Sequence, residues 1–151
     1  DFSHPAMHRR YTWDISTATD NWVLLEAVRD PECQRLAGYF LLQFETQVVP
    51  VLPQLRQAYI HNDANDYNVL VDGGRVSGLI DFGDMVHSAL VNNVAVACTY
   101  AMLNEPDPLA VATRVVKGYH EEYPLRLEEV DLLYYLIAGR LCISEIGRAH
   151  V

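Results

Sequence analysis

The stretch Tyr59-Ile60-His61-Asn62-Asp63-Ala64-Asn65-Asp66-Tyr67-Asn68-Val69-Leu70-Val71 is followed, after Asp72-Gly73-Gly74, by Val76 to Ile80 and then by Asp81-Phe82-Gly83-Asp84. Two β-rich runs flank a Gly-Gly pair, and glycine takes positive φ without steric cost, so the pattern predicts a tight hairpin. Folding about that turn sets Asn68 nearly opposite Asp81, and opposed residues of an antiparallel pair hold their Cβ atoms about 5 Å apart. An amide oxygen and a carboxylate remote in sequence thereby converge on one point. Such oxygen ligands suit Mg²⁺, which keeps several waters and completes its shell from substrate phosphates. Asp63 falls on the loop just before the first strand, where a base for an attacking hydroxyl would stand.

Order and spacing sharpen this chemistry. His61-x-Asp63-x-x-x-x-Asn68 followed by Asp81-Phe82-Gly83 has the arrangement used for phosphoryl transfer. Asp63 is then the catalytic base, and Asn68 and Asp81 hold the metal and, through it, the nucleotide phosphates. A loose transition state demands little early proton abstraction, so the larger effect of Asp63 is expected in orienting the hydroxyl. His61 is expected to be hydrogen-bonded inside the loop rather than to carry a proton. Asp84 is a supporting residue that positions Asp81 or the loop, or else a helix N-cap. Taken singly, Asp63, Asp66 and Asp72 are ordinary loop acids, Asn68 begins a strand and Asp81 is an N-cap; it is their joint occurrence in this order that argues for a site.

On His61 to Asn68 and Ile80-Asp81-Phe82-Gly83-Asp84 the chain resembles the aminoglycoside phosphotransferase and choline kinase family. Within it the hydroxylysine-kinase-like branch is the most similar, also through Gly83-Asp84-Met85-Val86-His87 and the helix ending Ala97-Cys98-Thr99-Tyr100-Ala101-Met102. The resemblance runs from about Phe2 to Ser144. It implies an α+β, mainly helical fold: the C-terminal lobe of a protein-kinase-like phosphotransferase, with a small catalytic β-hairpin. It implies ATP and Mg²⁺ as cofactors, and transfer of the γ-phosphate to a hydroxyl of a small amine-bearing molecule. Hydroxylysine or another amino alcohol is the first expectation, and an aminoglycoside, choline or ethanolamine the alternative. Some members of the branch are fused to a pyridoxal-phosphate aminotransferase, so such a partner domain in the parent protein is a further expectation. A non-catalytic module serving that partner is the rival reading, against which the intact Asp63, Asn68 and Asp81 count. A metal-dependent hydrolase using His61, Asp63 and Asp81 would need further ligands at metal spacing. Two positions depart from the family pattern, Asn62 where Gly is usual and Ala64 where a larger apolar residue is usual. Neither changes a catalytic group, but both bear on the loop backbone that aims Asp63.

The 151 residues, 50% hydrophobic and 21% charged, suit one globular unit. A formal net charge of −9 argues against nucleic acid, whose phosphates demand a basic face, and favours a cationic acceptor. Cys33, Cys98 and Cys142 stand singly in apolar helical patterns, as free thiols of a reducing compartment do. No apolar run reaches about 18 residues and no signal-peptide pattern opens the chain, so a cytoplasmic protein without a membrane span is expected.

Along the chain, Thr19 to Val28 has helical periodicity, and Trp13-Asp14 before it is expected to pack in the core. Asp30-Pro31-Glu32 starts a helix that runs through Leu36, Phe40, Phe44 and Val48. Further helices are predicted over Ser88–Met102, over Leu109 to Tyr119, and from Glu128-Glu129 through Leu132, Leu133, Leu136, Ile137 and Leu141. Lone residues such as His87, Tyr100, Tyr119, His120 and Tyr123 are candidates for an acceptor site, with core or surface positions the commoner outcome. Nothing upstream of the catalytic loop resembles a Gly-rich phosphate loop or a strand lysine. Residues 1–144 are therefore expected to be the C-terminal lobe alone, inactive by itself. Glu145-Ile146-Gly147-Arg148-Ala149-His150-Val151 resembles the translation of a sequencing adapter, so 145–151 is expected to be a non-native tail; the alternative is a natural helix end capped by Gly147.

Overall fold

The computed structural model describes residues 3–150. Helix α1 (Pro31–Gln47) starts as its sequence dictates: the Asp30 carboxylate accepts from the Cys33 N–H at 2.8 Å, and Pro31 occupies the first turn, where no amide is needed. It buries Ala37, Leu41 and Phe44. Helix α3 (Pro108–Glu122) repeats the device with Asp107 and Pro108. Helix α2 (Leu90–Ala101) buries Val91, Val94, Ala95, Val96 and Cys98, as an almost uniformly apolar helix must. Helix α4 (Leu127–His150) packs on α1, on α2 and on the 3₁₀ segment Ile15–Ala27. Its Leu132, Leu133, Leu136 and Ile143 close the core. Gly139 permits the α1 crossing, since a Cβ there would lie 2.8 Å from the Phe44 ring. The mainly helical α+β architecture expected of a kinase-like C-terminal lobe is the one observed.

Four strands complete the lobe. β1 (Gln57–Ile60) pairs antiparallel with β4 (Val86–Ala89), Ile60 opposite Val86 and Gln57 opposite Ala89. β4 corrects the sequence-based expectation of a helix from Ser88. The apolar run hides the boundary, but pairing with β1 holds Val86–Ala89 extended, and the Leu90 N–H continues the ladder to Arg56 O at 2.8 Å. A second correction concerns Thr19–Val28, which lies not in an α-helix but in the 3₁₀ segment Ile15–Ala27. There Asp14 and Thr17 turn side-chain oxygens onto local backbone, which competes with α-helical bonding.

β2 (Val69–Asp72) and β3 (Arg75–Leu79) form the predicted hairpin, with Gly73 and Gly74 at φ 56° and 75°. A bulge opposite Leu70 and Val71 leaves Ser77 unpaired and moves the register by one residue. Asn68 therefore faces Ile80, whose N–H donates to Asn68 O at 3.0 Å, and Asp81 lies one residue beyond. At the other end of the chain α4 continues through residues 145–150. Ile146 is fully buried, and Gly147 lies inside the helix, where a Cβ would sit 3.1 Å from the Trp13 ring.

Candidate active site

The loop between β1 and β2 is built around a backbone reversal at Asn62, with φ 65°. Asparagine tolerates this left-handed conformation better than most residues, because its short amide bonds locally. The Asn62 N–H donates to Asn93 Oδ1 at 3.1 Å, and its own Nδ2 to Trp13 O at 3.3 Å. The departure from glycine thus keeps the turn and adds an anchor. His61 is buried, its Nε2 2.9 Å from Ile80 O and its Nδ1 accepting from the Asp63 N–H at 3.3 Å. Those partners assign the proton to Nε2 and make the ring a brace between the loop and the end of β3.

Asp63 sits at the centre. Its Oδ2 accepts from Asn65 Nδ2 at 3.0 Å and from Asn68 Nδ2 at 2.8 Å. Asn68 Nδ2 also reaches Asp63 O at 2.8 Å. Asn65 in turn accepts the N–H groups of Tyr67 and Asn68 in an Asx turn that ends the loop. These bonds consume the donor side of the Asn68 amide and leave Oδ1 with no hydrogen-bond partner among the described residues. Asp63 and Asn68 are therefore brought into direct contact, and the free amide oxygen is the atom a cation would use.

Asp81 follows Ile80, which is tied to both His61 and Asn68. It adopts φ 59°, and its Oδ1 accepts from the Gly83 N–H at 3.4 Å at the head of the 3₁₀ turn Phe82–Asp84. A left-handed aspartate beside a predicted metal position is the kind of strain that gathers at functional sites. The Phe82 ring meets His61 edge-on at 5.0 Å. Asp84 is held by the Tyr11 hydroxyl, and Arg9 donates to Gly83 O at 2.7 Å and Met85 O at 3.3 Å. Residues 9–11 therefore strap the loop that carries Asp81. Burial, reinforced by the bond to Asp84, pushes the Tyr11 hydroxyl up to about 12, so it stays a donor at any physiological pH.

The remaining candidates are placed elsewhere. His87 stacks with His8 and Tyr59 on the β1–β4 sheet. Tyr119 and Tyr123 meet edge-on beside Arg56, and His120 Nδ1 accepts the Leu125 N–H at the α3–α4 turn. Tyr100 alone joins the site, through Arg140. Sequence reasoning missed that arginine. Its Nη2 lies 3.4 Å from Asp63 Oδ1 and 3.1 Å from the Tyr100 hydroxyl, and its Nη1 donates to Trp13 O. The signal was a cation set four residues after Leu136 and seven after Leu133, on the apolar face of α4.

A loop carboxylate held by the same asparagine whose amide oxygen stays open, with a second carboxylate delivered by a hairpin against a helical lobe, defines a kinase-like phosphotransfer lobe. The chain belongs to the phosphotransferase enzyme family, whose model matches residues 2–130. It is similar to the hydroxylysine kinase of Danio rerio, 31% identical over 140 residues that make up 89% of this chain and 39% of that protein. The hydroxylysine kinase of Xenopus laevis is 30% identical over 145 residues, again 89% and 39% of the two chains. The homoserine kinase of Methylobacillus flagellatus is 38% identical over 126 residues, 80% of this chain and 36% of that protein. The chain spans about two fifths of the length of these relatives.

Proposed function

We propose that this chain is the catalytic lobe of an ATP-dependent kinase that phosphorylates a hydroxyl on a small amine-bearing acceptor, a hydroxy amino acid such as hydroxylysine first. The observation that carries it is the Asp63–Asn68 contact, which orients a base and leaves an amide oxygen open in one step. Asn68 Oδ1 and the Asp81 carboxylate form a hard, all-oxygen donor set of the kind Mg²⁺ accepts, too few to enclose it, so phosphates and water would complete the shell. When bound, the ion supplies charge neutralisation to the transferring phosphate. Asp63 orients the acceptor hydroxyl and takes its proton; His61 and the Tyr11–Asp84 strap keep the segments that carry Asp63 and Asp81 in place.

Two relatives named for hydroxylysine and homoserine, both hydroxyl-bearing amino acids, support this acceptor class. The net charge of −9 favours the net-cationic hydroxylysine over a neutral sugar. We further propose that residues 1–144 are one lobe of a longer cytoplasmic enzyme, with a fused aminotransferase as the partner to look for in the parent gene. Cys98 and Cys142 fit a reducing compartment, as buried free thiols whose burial pushes them up to about 11.

The test is acceptor-dependent ADP release by the full-length enzyme carrying this lobe, with hydroxylysine, homoserine, aminoglycosides, choline and neutral sugars. Hydroxy amino acids should lead, and Asp63→Ala should lower turnover by about 10²–10⁴-fold. Preference for a neutral sugar would remove the acceptor assignment, and full activity in Asp63→Ala would remove the site.

A further inference from the structure

We propose that Arg140 is the positioning residue of the base: its guanidinium fixes Asp63 Oδ1 as the oxygen that receives the acceptor hydroxyl. The inference rests on Asp63 being the base. Arg140 is 1% exposed, and a guanidinium is buried at several kcal/mol of cost unless a carboxylate compensates it. Among the described residues the one carboxylate within ion-pair distance is that of Asp63. The remaining Arg140 contacts are neutral: Trp13 O, the Tyr100 hydroxyl and the faces of the Trp13 and Tyr100 rings, each 5.5 Å from the guanidinium carbon. Nε has no partner. A guanidinium buried for the sake of packing would be expected to have its donors satisfied. This one leaves Nε unused while its Nη2 reaches the base.

The division of labour on Asp63 points the same way. Oδ2 is saturated by Asn65 and Asn68, whereas among the described residues Oδ1 has only the 3.4 Å contact with Arg140. Oδ1 is thus both steered and available, and catalytic contacts that are long without substrate shorten when it binds. In the transfer the acceptor oxygen bonds to the γ-phosphorus as the bond from that phosphorus to the bridging oxygen breaks. ADP leaves, and the acceptor proton moves to Oδ1. With Oδ2 held by Asn65 and Asn68, the Arg140 contact adds a hold on the other oxygen, the one that receives the proton.

A double-mutant cycle on acceptor-dependent phosphoryl transfer by the full-length enzyme tests this, with Arg140→Lys, Arg140→Met, Asp63→Asn and the combined variants. Arg140→Lys should keep the melting transition and the KM for ATP while kcat falls by about ten- to a hundredfold, the scale of a misplaced catalytic group. In the Asp63→Asn background neither Arg140 substitution should lower kcat further, because residues acting through one another are not additive. Arg140→Lys carries the result if the methionine variant does not fold. Additive losses, unchanged kcat in Arg140→Lys, or loss of folding in that variant would overturn the proposal in favour of a structural arginine. Undiminished kcat in Asp63→Asn would instead remove the base assignment beneath it.

Discussion

Asn62 shows how much a single backbone angle carries. It is fully buried at φ 65°, and its amide ties the loop to Trp13, the same carbonyl that Arg140 uses. Asn62→Ala loses that bond and the amide that makes the left-handed region tolerable, where an ordinary residue pays roughly 1–2 kcal/mol; a total loss of about 2 kcal/mol is expected in urea unfolding. Asn62→Gly, free of the Cβ penalty, should lose less. If alanine were tolerated as well as glycine, the turn would owe nothing to its left-handed residue. At this scale the sequence was informative wherever chemistry dictates spacing, as at His61, Asp63, Asn68 and Asp81. It was uninformative for Arg140 and Tyr11, which reach the site across 77 and 73 residues. Their facing depends on how helices and loops dock, and periodicity does not report that. Arg140 could still have been flagged as a charge out of place on an apolar stripe.

The elements lock through a few contacts that the pattern of apolar residues does not display. In the first turn of helix α4, Glu129 is fully buried, and its carboxylate accepts from Arg56 Nε at 2.8 Å and Nη2 at 2.5 Å, and from the Arg126 N–H at 2.8 Å. The last is half of a capping box. Burial pushes this carboxyl up, but the Arg56 and Arg126 hydrogen bonds outweigh it and hold it below the usual glutamate range. A group depressed in the folded state contributes stability above its unfolded value, about 4.3, and loses it as pH falls through the folded value. Equilibrium urea unfolding should therefore weaken progressively below about pH 4.3. Glu129→Gln should lose about 3 kcal/mol at pH 7, the cost of leaving Arg56 half-buried without its partner, and should flatten that acid limb. An acid limb unchanged by the substitution would assign the effect to other carboxylates. Gly139→Ala is the matching test of packing. With a Cβ 2.8 Å from Phe44, α4 must shift away from α1, so the variant should lose about 1–3 kcal/mol and carry Arg140 off Asp63. The sequence announced α1 and α3 through their Asp-Pro starts, yet hid β4, because a four-residue strand feeding an apolar helix has no punctuation of its own.

For the molecule as a whole, the unevenness of burial is the informative feature. The helices expose some apolar side chains, among them Leu109 and Tyr134, and the β2–β3 hairpin with the turn after it exposes a separate group: Leu70 44%, Val71 63%, Val76 71%, Ile80 45% and Phe82 53%. Apolar surface gathered around a site in this way marks where something covers it. On the proposal that a nucleotide-clamping lobe belongs there, β2 and β3 are stabilised mainly by each other in the isolated chain. Two-stranded hairpins are marginal alone, so their amides should exchange with solvent far faster than those of α4 at Leu136 or Ile143, which lie in the core. In the full-length enzyme the same amides should slow markedly, and slow again with ATP and Mg²⁺, since ligand that binds only the closed arrangement stabilises it by mass action. Hydrogen exchange read by mass spectrometry on both proteins separates the cases. Hairpin amides as protected in the isolated chain as those of α4 would show that the site is already complete without a second lobe, and the proposal that these residues form one part of a longer kinase would fall.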